Sequence, residues 1–142
     1  MKTAPLIIQR IIDAPVDRVW KALTDTEQLC RWFSGITDFK PEPGFEFIIP
    51  DIYPSSCKII EAVENYKLSY SLSFNAFPAE TIVTFELSDH GETTMIRLTH
   101  EGLENIPARG NEDFEKDKFI KGWSNGLLSL QHYLEILYLA DK

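Results

Sequence analysis

The 142-residue chain has no apolar run near the roughly 20 residues that a membrane-spanning helix needs. Its N-terminus also lacks the basic, apolar, small-residue order of a secretion signal. No membrane insertion is expected, and the expected compartment is the cytoplasm. Positive charge is short as well: 14 Lys and Arg against 22 Asp and Glu leave a net charge of -8. Most of the surface would therefore repel a nucleic-acid backbone or an anionic membrane, and no nucleic-acid partner is expected. Cys30 and Cys57 are the only cysteines; without metal-ligand spacing, two in a cytosolic chain read as reduced core residues. Phosphate-binding glycine loops, zinc-type His/Glu pairs and nucleophile elbows are all missing. His90, His100 and His132 fall in a turn, at a strand end and on a helix, so their spacing builds no metal site. No metal or cofactor is expected, and nothing recognisable supports catalysis. Without repeats, low-complexity tracts or a linker, residues 1–142 read as a single domain.

What the chain does have is a long C-terminal amphipathic helix, from about Asn111 to Ala140. Phe119, Trp123, Leu127, Leu130, Leu134 and Leu137 recur there at spacings of three and four. Asn111 is placed to cap it, and Glu112, Asp113 and Glu115 suit the positive end of its dipole. Large apolar side chains contribute about 1.5 to 3 kcal/mol each when buried, so the stripe could stabilise docking by roughly 10 kcal/mol as an upper bound. The helix needs a broad apolar partner.

Upstream, isoleucine-dense Leu6 to Asp13 reads as a strand. Pro15 suits a first helical turn, and Val16, Val19, Trp20 and Leu23 carry a short helix to about Thr24. Thr24 with Glu27 has the form of a capping box for a second helix carrying Leu29, Trp32 and Phe33 up to Gly35. Beyond Gly44 the period becomes two. Phe45, Phe47 and Ile49 share a face, and Pro50 and Pro54 bracket a turn at Tyr53. Cys57 to Val63 is a strand whose facing the adjacent Ile59 and Ile60 leave open. Leu68, Tyr70, Leu72 and Phe74 alternate with serines. Val83, Phe85 and Leu87, a turn at Asp89 to Gly91, and then Ile96, Leu98 and His100 make a hairpin. Gly102 to Gly110 is a loop. This order predicts an α+β fold: a strand, two short helices, about five antiparallel strands in a curved meander, and a long helix covering the sheet.

The stretch Ile12 to Asp25 followed by Trp32-Phe33 resembles the opening motif of SRPBCC (START-like) proteins. Leu98-Thr99-His100-Glu101-Gly102-Leu103 and Gly122-Trp123 with Leu127, Leu130 and Leu134-Glu135 match the closing pattern of one group. That group is similar to the C-terminal domain of activators of the heat shock protein 90 ATPase. The resemblance implies a helix-grip fold, in which a curved antiparallel sheet wraps the terminal helix over an apolar cavity. Members of the superfamily include lipid and sterol carriers, hormone receptors, polyketide aromatase/cyclases and co-chaperone domains. Glu42-Pro43-Gly44 has one glycine where relatives often have a pair. The chaperone-engaging N-terminal domain of the co-chaperones has no counterpart in these residues. This chain is accordingly expected not to stimulate a heat-shock chaperone ATPase by itself, and several-fold stimulation in a steady-state assay would contradict that.

The leading functional expectation is non-covalent binding of a small apolar or amphipathic molecule. Inward strand phases and the helix stripe nominate Phe47, Tyr70, Leu72, Phe85, Leu98, His100, Phe119, Trp123 and Leu127 as its lining, with Trp32 at the mouth. Polar anchors would be His100, Tyr53 and Tyr70; the bland alternative for His100 is a histidine bonded to its own framework. Gly122 and Gly126, costly inside a helix, suggest space for a close strand or a ligand. A dry cavity of about 300 Å³ would cost near 7 kcal/mol, so a large one should be wet or filled. Two other readings stay open. A cyclase- or hydrolase-like enzyme would need polar groups to converge in the cavity, and His100, Tyr53, Tyr70 and Glu61 are the candidates. A homodimer or protein-interaction module would use an apolar patch such as Ile136, Tyr138 and Leu139.

Overall fold

Alternating apolar residues and short turns build one antiparallel sheet, and helical periodicity supplies its cover. The computed structural model describes residues 5–33, 36, 38–49, 55–74, 80–102 and 112–140, without the side chains of 74, 112–118 and 137–140. The elements are β1 (Leu6–Ile12), α1 (Val16–Thr24), α2 (Thr26–Trp32), β2 (Glu46–Ile49), β3 (Ser55–Val63), β4 (Lys67–Phe74), β5 (Glu80–His90), β6 (Thr93–Glu101) and α3 (Glu112–Ala140). The sheet has six strands in the order β1-β6-β5-β4-β3-β2. The last five form the expected meander, and β1 returns to pair with β6, Leu6 opposite His100 and Ile12 opposite Thr94. The fold is α+β of the helix-grip kind.

Its core lies on the sheet's concave face. Ile12, Phe47, Cys57, Ile59, Leu68, Tyr70, Leu72, Val83, Phe85, Ile96 and Leu98 are buried there with Leu127, Leu130 and Leu134 of α3. Ser69 and Thr84 face the other way, their hydroxyls 3.2 Å apart. In α3 the stripe is buried only over those leucines; Phe119 and Trp123, near the helix start, are partly covered. Leu137 and the cap residue Asn111 fall outside the described residues.

Local chemistry moved several boundaries. Thr24 does not cap α2: it still belongs to α1, where its hydroxyl donates to Trp20 O at 2.8 Å. Asp25, in extended conformation between the helices, ends α1 and caps α2 by accepting from Gln28 N at 3.2 Å. Pro15 is the cap position of α1 rather than a residue of its first turn, and Phe33 lies just past the end of α2. The ambiguity at Ile59-Ile60 is a β-bulge. Ile59 opposes Tyr70 and Glu61 opposes Ser69, leaving Ile60 as the extra residue, so facing inverts there. The β5–β6 hairpin is tighter than expected, pairing through His90 and Thr93. Gly91 takes φ +80° in its two-residue turn, and its N–H donates to Asp89 Oδ1 at 2.9 Å.

Candidate ligand-binding site

Inward-facing aromatics from successive elements form a row across the concave side, edge to face at each contact except the tilted Tyr70–Phe85 pair. From Phe39 the row runs to Phe47 at 5.0 Å between ring centroids, then to Tyr70 at 5.1 Å and Phe85 at 6.2 Å. Phe85 meets Trp123 of α3 at 6.1 Å, and Trp123 meets His100 at 5.9 Å. Phe119 closes the row against His100 at 5.2 Å. Such contacts add to area burial and favour fixed ring orientations.

The two ends of this row differ chemically. At the α3 end, hydrogen bonds fix the state of His100. Thr81 Oγ1 donates to Leu72 O at 2.9 Å, so it accepts from His100 Nε2–H at 2.8 Å. The indole Nε1–H of Trp123 donates to the bare Nδ1 at 3.0 Å. Donors therefore run one way, from Trp123 through His100 and Thr81 to the Leu72 carbonyl, and only the neutral Nε2–H tautomer satisfies every member. Burial lowers the His100 pKa to about 4. This is the framework-bonded alternative: both ring nitrogens are occupied, and His100 offers a ligand nothing.

At the other end lies an apolar pocket lined by Leu23, Leu29, Trp32, Phe33, Ile36, Phe39, Phe47, Leu68, Tyr70 and Phe85. Trp32 is held by its indole N–H on Ala22 O at 2.8 Å, while its carbonyl accepts from Ser129 Oγ at 3.0 Å, tying α1, α2 and α3 together. Phe39 is seated by reciprocal bonds: Thr26 Oγ1 donates to Phe39 O at 3.0 Å and accepts from Phe39 N at 2.9 Å. Tyr70 is buried and supplies the one hydroxyl of the pocket lining. Burial raises its pKa well above the ordinary phenol value, so it stays a neutral donor. The neighbouring Cys57 thiol is pushed up to about 12 by burial and is unreactive.

The pocket gathers Trp32, Phe47, Tyr70 and Phe85 from the residues nominated by sequence. Leu72, Leu98, His100, Phe119, Trp123 and Leu127 are not in its lining: they fill the core or the hydrogen-bonded end of the row. Tyr53 lies outside the described residues. Glu61 is exposed and pairs with Lys67 at 3.0 Å. The lining also takes in Phe33, which the sequence placed on the second helix but not in the pocket, and Ile36 and Phe39, whose only signal is that they are apolar residues placed singly after a helix. The space is also smaller than expected. The enclosed cavity is about 20 Å³, room for roughly one water, so its cost is only about 0.5 kcal/mol.

Among the described residues Gly122 and Gly126 face neither a close strand nor a packed neighbour, since a Cβ at either would meet no described atom within 4 Å. They lie on the α3 flank that carries Ser129 toward Trp32, because seven residues make nearly two turns. Gly122→Ala and Gly126→Ala are each expected to stabilise the fold by about 0.5 to 1 kcal/mol in thermal or denaturant melts.

A curved sheet gripping a terminal helix, with an apolar pocket beneath the helical pair, defines the START-like (SRPBCC) class. Within it, the family described as "Activator of Hsp90 ATPase homolog 1-like protein" matches residues 13–135, and the chain belongs to that family. No curated protein matches the chain. Among solved structures it is similar to protein MLL2253 from Mesorhizobium loti, with 25% identity, TM-score 0.79, and 92% of this chain and 96% of that one covered. CalU16 from Micromonospora echinospora gives 25% identity and TM-score 0.75 over 96% and 81%. The Aha1 dimer from Colwellia psychrerythraea gives 23% and 0.77 over 94% and 98%. Among the described residues, no helix is long and apolar enough to cross a membrane.

Proposed function

We propose that the protein binds a small amphipathic molecule non-covalently in the aromatic pocket, with the ligand's polar end accepting a hydrogen bond from Tyr70. The observation that carries this reading is an apolar, aromatic-rich pocket whose lining holds a single hydroxyl, that of the buried Tyr70. A lone hydroxyl among apolar side chains is the kind of polar group that fixes a ligand's orientation in such a pocket. The anchor is thus Tyr70 rather than His100.

A cavity of about 20 Å³ admits no such molecule as it stands, so binding selects a state in which the lining has opened. Phe33, only partly buried and resting edge-on against Trp32 at 5.4 Å, is the side chain best placed to swing. The cytosol is the proposed setting, which the free thiols of Cys30 and Cys57 suit.

Titration with an environment-sensitive fluorescent fatty acid tests the reading. Saturable binding is expected, with Tyr70→Phe weakening it about 3- to 30-fold while barely changing the melting temperature. No saturable binding, or equal affinity in the variant, would contradict it.

A further inference from the structure

Strand β1 forms one edge of the sheet, and among the described residues no strand lies beyond it. Sheet edges are normally guarded by lysine, proline, a bulge or brevity, because their free N–H and C=O groups can template another strand. The opposite edge, β2, has only four residues. β1 has seven, pairs with β6 in unbroken register, and turns Ile7 and Ile11, 55% and 66% exposed, outward on either side of Gln9. We propose that β1 pairs antiparallel with β1 of a second copy of this chain, joining two sheets about a two-fold axis at Gln9.

In the sequence Leu6-Ile7-Ile8-Gln9-Arg10-Ile11-Ile12 the exposed Ile7 and Ile11 lie symmetrically about Gln9, and Arg10 is the one charged residue. Directly opposed residues of an antiparallel pair share a face. An axis at Gln9 therefore sets Ile7 against Ile11 of the partner subunit on the outer face and, on the inner face, Leu6 against Ile12 of the partner subunit and Ile8 against the aliphatic stem of Arg10 of the partner subunit. Arg10 selects this register. An axis at Arg10 would bring two guanidinium groups into opposition, whereas an axis at Ile8 would leave Ile11 and Ile12 unmatched. Charge permits the contact: with a net charge of -8 most of the surface repels its own copy, but the first acidic residue is Asp13, so β1 carries none. Gln9 itself is held in place, its side-chain oxygen accepting from Arg97 Nε and Nη2 at 2.8 and 2.9 Å.

Sedimentation velocity and site-specific crosslinking test the pairing. The wild-type chain is expected to be a dimer at micromolar concentration. Ile11→Lys, at an exposed position, should raise the dissociation constant at least ten-fold while leaving the melting temperature within a few degrees. In a Cys30→Ser background, which removes the exposed thiol, Gln9→Cys should crosslink to itself on mild oxidation. Ile7→Cys and Ile11→Cys should crosslink only when mixed with each other. A chain monomeric at about 100 µM, a dimer indifferent to Ile11→Lys, or crosslinking that ignores position would each overturn the proposal. The first outcome would leave the edge to a strand of another protein or to none.

Discussion

Trp123→Ala is expected to lower the unfolding free energy by about 3 to 5 kcal/mol. Two losses combine. The indole bridges Phe85 and His100 in the aromatic row, so truncation opens space between α3 and the sheet. It also removes the donor to His100 Nδ1, leaving a buried acceptor bare at about 1 to 3 kcal/mol. Trp123→Phe keeps most of the ring and loses the N–H, and it should cost about 1 to 2 kcal/mol. Denaturant melts of both variants separate the terms. A loss below about 1 kcal/mol for the alanine variant would show that the start of α3 contributes little to holding the sheet.

Acid should destabilise the protein through His100. The folded pKa is lowered to about 4 from an ordinary 6.5, so between those values the unfolded chain binds a proton that the native one refuses. The stabilisation is complete above pH 6.5, falls as pH drops toward 4, and is constant below. A shift of that size corresponds to on the order of 3 kcal/mol. Burial is the cause of the shift; a proton on Nδ1 would in addition face the Trp123 N–H and break the one-way chain. Carboxylates titrate over part of the same range, so the informative quantity is the slope difference between wild type and His100→Gln. Equal slopes from pH 6.5 to 4.5 would show that His100 protonates freely in the folded protein.

Sequence pattern served the fold well because period and burial agree. The alternation of Leu68, Tyr70 and Leu72 and the three-four spacing of Leu127, Leu130 and Leu134 appear as buried faces. It served the pocket less well. Inward phase identifies what faces the concave side, but not whether a residue there meets space or another side chain; Leu98 and Phe47 have the same phase signal and only Phe47 lines the pocket. His100 looked available because its partners, Thr81 and Trp123, are 19 and 23 residues away. Phe39 had no periodicity to reveal it, being fixed by a single hydroxyl from Thr26. The bulge at Ile60 interrupts the alternation that would have set the facing of β3.

The most direct test of the ligand-binding account is an amide chemical-shift titration of the isotope-labelled protein with a medium-chain fatty acid. Saturable shifts are predicted to concentrate at Phe33, Ile36, Phe39, Phe47, Tyr70 and Phe85. Unchanged spectra at millimolar ligand, or shifts confined to exposed apolar residues such as Ile136, would contradict an internal site.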